Sequence, residues 1–184
     1  MLMLSMTLTG VLFAGNAKSA PEQSNQQKKQ NVCYTESVEV AKGTSFPVKV
    51  YVNNVDSLAG MQVPIYYRSE DVDIKCDSVS FAGSRCGYFA MNDSKIEPVG
   101  KTVLFCFIVE IDPGKPEPPL GPGDGVVATL WFTAPKNVNS GKVQLYSGPN
   151  AFFPHEIIDF SFLFWNPLAN PVDFTYEPGY ITVK

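Results

Sequence analysis

The sequence predicts an all-β fold, an antiparallel β-sandwich of jelly-roll type, and three observations carry that expectation. Apolar residues recur with period two, as in Phe46, Val48, Val50 and Val52, which is the signature of strands buried on one face. Turn-forming clusters bound these runs at regular intervals, and no stretch shows a convincing amphipathic-helix period. Finally, 14 glycines and 15 prolines among 184 residues interrupt long helices, while 45% apolar residues leave enough mass for a packed core.

In chain order, residues 1–17 (MLMLSMTLTGVLFAGNA) form a short apolar run ending in small residues, with Gly15 and Ala17 placed for signal cleavage after Ala17 and a second site after Ala20. The run is shorter than the ~20 residues a spanning helix needs. The expectation is therefore export, to the medium or alternatively the periplasm, with no membrane anchor visible. Residues 18–31 are polar and aperiodic, a flexible lead-in. The folded domain is expected over residues 32–184, ~150 residues and the size of one domain.

Within it, alternation marks strands at Val38 and Val40, at Phe46 to Val52, at Met61, Val63, Ile65 and Tyr67, and at Val72, Ile74 and Cys76. Lys42-Gly43, Asn53-Asn54 with Asp56-Ser57, and Ser69-Glu70-Asp71 supply the turns between them. Thr102 to Val109 and Val126 to Phe132 are nearly continuously apolar, which suggests central strands buried on both faces. Between them, residues 112–125 are rich in proline and glycine and read as an exposed loop. Further strands are expected at Lys142 to Tyr146, Val172 to Tyr176 and Tyr180 to Val183. The aromatic run 151–165 is ambiguous; in it Phe160, Phe162 and Phe164 alternate as core residues would.

Four cysteines in an exported chain favour disulfides, with three pairings open. Cys76 with Cys86 would close a short loop, leaving Cys33 to meet Cys106. A zinc site is the rival, but no pair shows C-x2-C spacing and His155 is remote in sequence. The net charge of -4 offers no basic field for nucleic acid. With His155 the one histidine and no G-x-S-x-G motif, catalysis has little to work with. Glu110 and Glu156 are the conceivable carboxylate pair for a glycosidase, although Glu110 reads more simply as a solvated strand end. Glu70, Asp71 and Asp73 read as a solvated turn rather than a calcium loop, so neither metal nor cofactor is implied. Phe153 and Trp165, beside prolines, are the rings placed to meet a polysaccharide.

Three passages carry a resemblance. Residues 46–74 (FPVKVYVNNVDSLAGMQVPIYYRSEDVDI) resemble the second to fourth strands of cohesin domains. Residues 123–134 (GDGVVATLWFTA) resemble the cohesin Gly-rich loop and following strand, most specifically at Asp124, Gly125, Ala128 and Thr129. Residues 177–184 (EPGYITVK) resemble the closing strand. The resemblance implies a sandwich of about nine strands, no catalytic activity, and a secreted module that holds a dockerin-type partner, as in polysaccharide degradation. A carbohydrate-binding module is the alternative on the related fold, and a structural subunit is a third reading. The binding positions it implies fall on Gly60 and Gln62, where cellulosomal relatives commonly carry Asn and Asp, and on the strand-end acid Glu110. The sheet containing Met61 to Tyr67 and Thr102 to Glu110 would supply the contact face.

Overall fold

In a computed structural model, residues 30–110, 117–149 and 161–184 are described, and among them the chain forms strands and no helix. The export segment, nearly all of the lead-in, and the run containing Phe152, Phe153, His155, Glu156 and Phe160 lie outside the described residues.

The strictest alternation makes one of the longest strands. In β3 (Thr44–Asn54), Phe46, Val48, Val50 and Val52 are buried while Ser45, Pro47 and Lys49 are exposed. It pairs antiparallel with β8 (Gly123–Ala134) and β1 (Val32–Thr35). The first layer is completed by β5 (Lys75–Ser80) on the far side of β8 and by β11 (Thr175–Glu177) beside β1, giving the order β11-β1-β3-β8-β5. The second layer has the order β10-β4-β7-β6, from β10 (Leu163–Trp165), β4 (Gly60–Tyr66), β7 (Thr102–Ile108) and β6 (Met91–Glu97). A short sheet of β2 (Val38–Val40), β12 (Gly179–Val183) and β9 (Gly141–Leu145) joins the layers at one end, since β2 continues from β1 and Tyr146 bridges Tyr66. Val48, Val50, Leu130 and Phe132 from one layer and Val63, Ile65, Phe105 and Phe107 from the other make the core.

The fold is the expected jelly-roll sandwich, with informative departures. Twelve strand segments appear among the described residues instead of about nine, because strands are broken. Pro178 has no N–H to donate and separates β11 from β12. Glu36 interrupts β1 and β2, its carboxylate accepting the Lys49 N–H at 2.7 Å in place of a ladder carbonyl. The pairings β1 with β11 and β2 with β12 are parallel. β7 and β8 are internal to their sheets but are not buried on both faces. Leu104 and Cys106 are half-buried and Ile108 and Trp131 exposed, so these continuous apolar runs leave apolar side chains on the outer faces. In β8 a bulge between the partners of Val50 and Tyr51 places Val127 and Ala128 in the core in succession. The strand expected over Val72 to Cys76 begins only at Lys75, and Val72 and Ile74 are buried from irregular chain. The loop at 112–125 is not wholly exposed. Leu120 is buried and exchanges both backbone hydrogen bonds with Leu58 at 2.9 Å, and β8 already begins at Gly123.

The expected disulfides are overturned: all four cysteines are free thiols. Cys76 pairs with Phe132, whereas the residue before Cys86 donates its N–H to Val126. Six positions along β8 correspond to about 20 Å, far beyond a disulfide's Cα reach of about 7 Å. Cys33 points into the core from β1, while Cys106 faces outward from the opposite layer, beside Gln62 and Asp93. Neither expected pair can form without rebuilding the sheets.

One polar element of the first layer, Arg85, is not marked by any motif in the sequence. The Arg85 guanidinium donates to the carbonyl oxygens of Val52 (2.8 Å), Gly123 (2.9 Å) and Gly121 (2.6 Å) and to Asn54 Oδ1 (2.8 Å). Gly125 is required here, since a Cβ would stand 2.8 Å from Arg85 Cδ. Replacing Arg85 with Ala leaves these acceptors facing a void, and the expected cost is about 3 kcal/mol, that of a lost hydrogen-bonded charge. Urea unfolding measures it. Lys should recover little, because one ammonium cannot span acceptors arranged for a planar fork.

Candidate functional site

The outer face of the second layer follows from its register. β4 runs antiparallel to β7 from Gly60 opposite Ile108 to Tyr66 opposite Thr102, and β7 pairs with β6 from Met91 opposite Ile108. With β10 added, outward side chains line up in cross-strand rows: Trp165, Gly60, Ile108, Met91; then Leu163, Gln62, Cys106, Asp93; then Pro64, Leu104, Lys95. The first row is wholly apolar. Ile108 is 48% exposed, Met91 55% and Leu163 37%. Charged side chains of these rows stand only on the edge strand β6, as Asp93 and Lys95. The face combines exposed apolar centre and charged rim, as protein interfaces do.

Gly60 has a steric reason. A Cβ there would lie 3.1 Å from Trp165 Cε3 and 3.3 Å from the Phe107 carbonyl, so the indole occupies the space a side chain at position 60 would need. A polar side chain at this position, such as cellulosomal relatives carry, would need the Trp165 ring to give way by a few tenths of an ångström. Gln62 donates to the Ser161 carbonyl at 3.1 Å, tying β4 to the chain leading into β10. Cys106, in the middle of the face, has its thiol pKa raised by burial and then by the charge of Asp93.

Beside Trp165 the face opens into a pocket of about 440 Å³ lined by Ala59, Gly60, Ile108, Val109, Pro119 and Pro167, with Glu110 and Glu117 among its walls. Glu117 also fastens the end of the sheet. One carboxylate oxygen accepts the Ala90 N–H at 2.8 Å and the other the Glu110 N–H at 3.1 Å, joining the approach to β6 to the end of β7. The structure thus gathers Gly60, Glu110 and Trp165 around one pocket, with Gln62 one row away. Phe153 lies outside the described residues. Sequence reading missed Glu117 and the exposed Met91 and Leu163. Met91 lies on a strand too polar to be noticed, and Glu117 sits in a proline-rich stretch where no local pattern signals its bonds to the Ala90 and Glu110 N–H groups.

The residues of the most specific sequence match serve the other layer. Asp124 accepts the Tyr34 hydroxyl at 3.0 Å, Gly125 admits Arg85, Ala128 fills the bulge, and Thr129 stands opposite Lys49. They account for the fold more than for a contact face. Phe162 and Phe164 are buried as expected, the latter stacked on Phe174 at 3.7 Å. Among the described residues no group of His, Cys, Asp and Glu could hold a metal, and no helix is long and apolar enough to cross a membrane.

No protein-family model matches the sequence, and no curated protein matches it. Solved structures define the class. A type I cohesin–dockerin complex from Clostridium thermocellum superimposes with a TM-score of 0.66 at 16% identity, over 84% of this chain and 99% of that one. The third cohesin of ScaC from Acetivibrio cellulolyticus, solved with the ScaB dockerin, gives 0.66 at 12% identity over 84% and 99%. A non-cellulosomal cohesin from the archaeon Archaeoglobus fulgidus gives 0.58 at 14% identity over 84% and 91%. The chain has the cohesin fold.

Proposed function

We propose that the chain is a secreted, non-catalytic attachment module that holds a dockerin-type domain of another exported protein on the outer face of the β10-β4-β7-β6 sheet. The observation that carries this reading is the apolar row of Met91, Ile108 and half-buried Trp165, with Met91 and Ile108 exposed and exposed Leu163 beside them, on a fold whose solved representatives include cohesins in complex with dockerins. Export rests on residues 1–17, and a place in polysaccharide degradation rests on the same fold likeness. A direct polysaccharide site finds less support. The Trp165 indole packs over Gly60 and lines a pocket, so it does not lie flat and open as a sugar platform would.

Ile108→Asp puts a charge at the centre of the apolar row, on a side chain the core does not use. Calorimetric titration of a type I dockerin in calcium should show at least about 30-fold weaker binding for this variant, the loss of one hot-spot residue, at unchanged thermal stability. Equal affinity of variant and parent would remove the face from the interface. Cys106 supplies an independent readout, since partner binding should protect it from alkylation at mildly alkaline pH.

A further inference from the structure

The pocket beside Trp165 has the makings of a specificity site, and the inference rests on the docking reading above. We propose that it takes one large apolar side chain of the partner, flanked in the partner's sequence by a lysine or arginine. Its volume of about 440 Å³ admits a leucine or aromatic side chain with room to spare. Its walls are already fixed. Ala59 donates to the Trp165 carbonyl at 2.8 Å, Val109 donates to the Ala59 carbonyl at 2.8 Å, and the Leu58–Leu120 bridge holds the Pro119 side. These N–H groups are spent within the protein, and Asn166, the neutral polar side chain of the wall, turns its Oδ1 to the Leu168 and Asn170 N–H groups, so the walls offer mainly apolar surface.

The charge of the pocket has one sign. Among the described residues, Glu110 and Glu117 line it and no lysine or arginine does. Both Glu117 oxygens receive backbone N–H groups, which satisfy hydrogen bonding without supplying a countercharge. The described ion pairs, Lys75–Asp77, Lys101–Asp73 and Lys184–Glu39, leave both glutamates uncompensated. A second copy of the chain, with its net charge of -4, is a poor complement. A cationic neighbour beside an apolar anchor matches both the walls and the charge.

The test uses the whole chain and two probes, acetyl-Phe-Lys-amide and acetyl-Phe-Glu-amide, followed by NMR of the two tryptophan indoles. Trp165 lines the pocket, while Trp131 is on the opposite layer and serves as internal control. The lysine probe should move the Trp165 signal saturably and leave Trp131 in place, and the glutamate probe should bind at least about tenfold more weakly. Glu110→Lys should abolish or reverse that preference. Equal affinity for the two probes, or no movement of Trp165 with either, would overturn the proposal. The docking reading stands or falls separately. If Ile108→Asp abolishes dockerin binding while neither probe moves Trp165, the face is retained and the pocket assignment is wrong.

Discussion

Phe105→Asp should leave no cooperative thermal unfolding transition at neutral pH. Phe105 is fully buried on β7, its ring packed edge-on to Phe81 with centroids 6.4 Å apart, and the flanking strands β4 and β6 close over both sides of its backbone. Truncating such a ring costs about 3–5 kcal/mol through lost transfer energy and the cavity left behind. Burying a carboxylate with no donor adds several more, against a total stability of about 5–15 kcal/mol for an ordinary domain. Ile108→Asp, on the same strand with its side chain outward, is the control and should melt like the parent. Circular dichroism decides between them. A Phe105→Asp protein with an unchanged melting curve would mean that β7 does not face the core as described.

Alkaline pH should unfold the protein through its thiols. Burial pushes the pKa of Cys76 and Cys86 up to about 12, and that of Cys33 higher still. Cysteines in an unfolded chain ionise near 8.5. The folded pKa is the raised one, so the stability these groups contribute is complete below the unfolded value. It is lost as pH rises, because only the unfolded state releases protons. Each thiol removes about 1.4 kcal/mol per pH unit in that window, so the three together cost about 4 kcal/mol between roughly pH 9 and 10. The melting temperature should be flat near neutrality and fall steeply above about pH 9. A variant with Cys33, Cys76 and Cys86 replaced by Ala should lose most of that slope. A thiol count in denaturant without reductant should find all four cysteines. A melting temperature unchanged to strongly alkaline pH, or only two titratable thiols, would contradict the free, buried cysteines.

Strands such as β3, β4 and β12 were legible in the sequence because one face of each meets the core, and a period of two records that directly. β6 was not. Its residues, MNDSKIE, form an edge strand whose inward positions are Asn92, Ser94 and Ile96, and Asn92 satisfies itself on the Phe89 and Cys86 carbonyls. Polar inward positions erase the alternation that would have revealed it. β10 is three residues long, too short to show a period. The cysteine pairing was misjudged because even number and export context favour bridges, while the geometry that forbids them is set by register across β8. Of the site, Gly60, Glu110 and Trp165 were named from resemblance and aromatic content. Their convergence depends on the β4–β7 and β4–β10 registers, which local sequence does not encode. Arg85 shows the same limit. Its acceptors are 31 to 38 residues away in sequence, and nothing adjacent distinguishes it from a solvated loop arginine.

The central claim is that this cohesin fold uses the Met91–Ile108–Trp165 face to hold a dockerin-type partner. Affinity capture from the exported proteins of its source, in calcium, tests it most directly when parent and Ile108→Asp chains are run side by side and bound proteins are identified by their sequences. The expected result is a protein bearing dockerin-type calcium repeats, retained by the parent and lost from the variant. Retention by both chains equally, or no repeat-bearing protein on the parent, would contradict the claim.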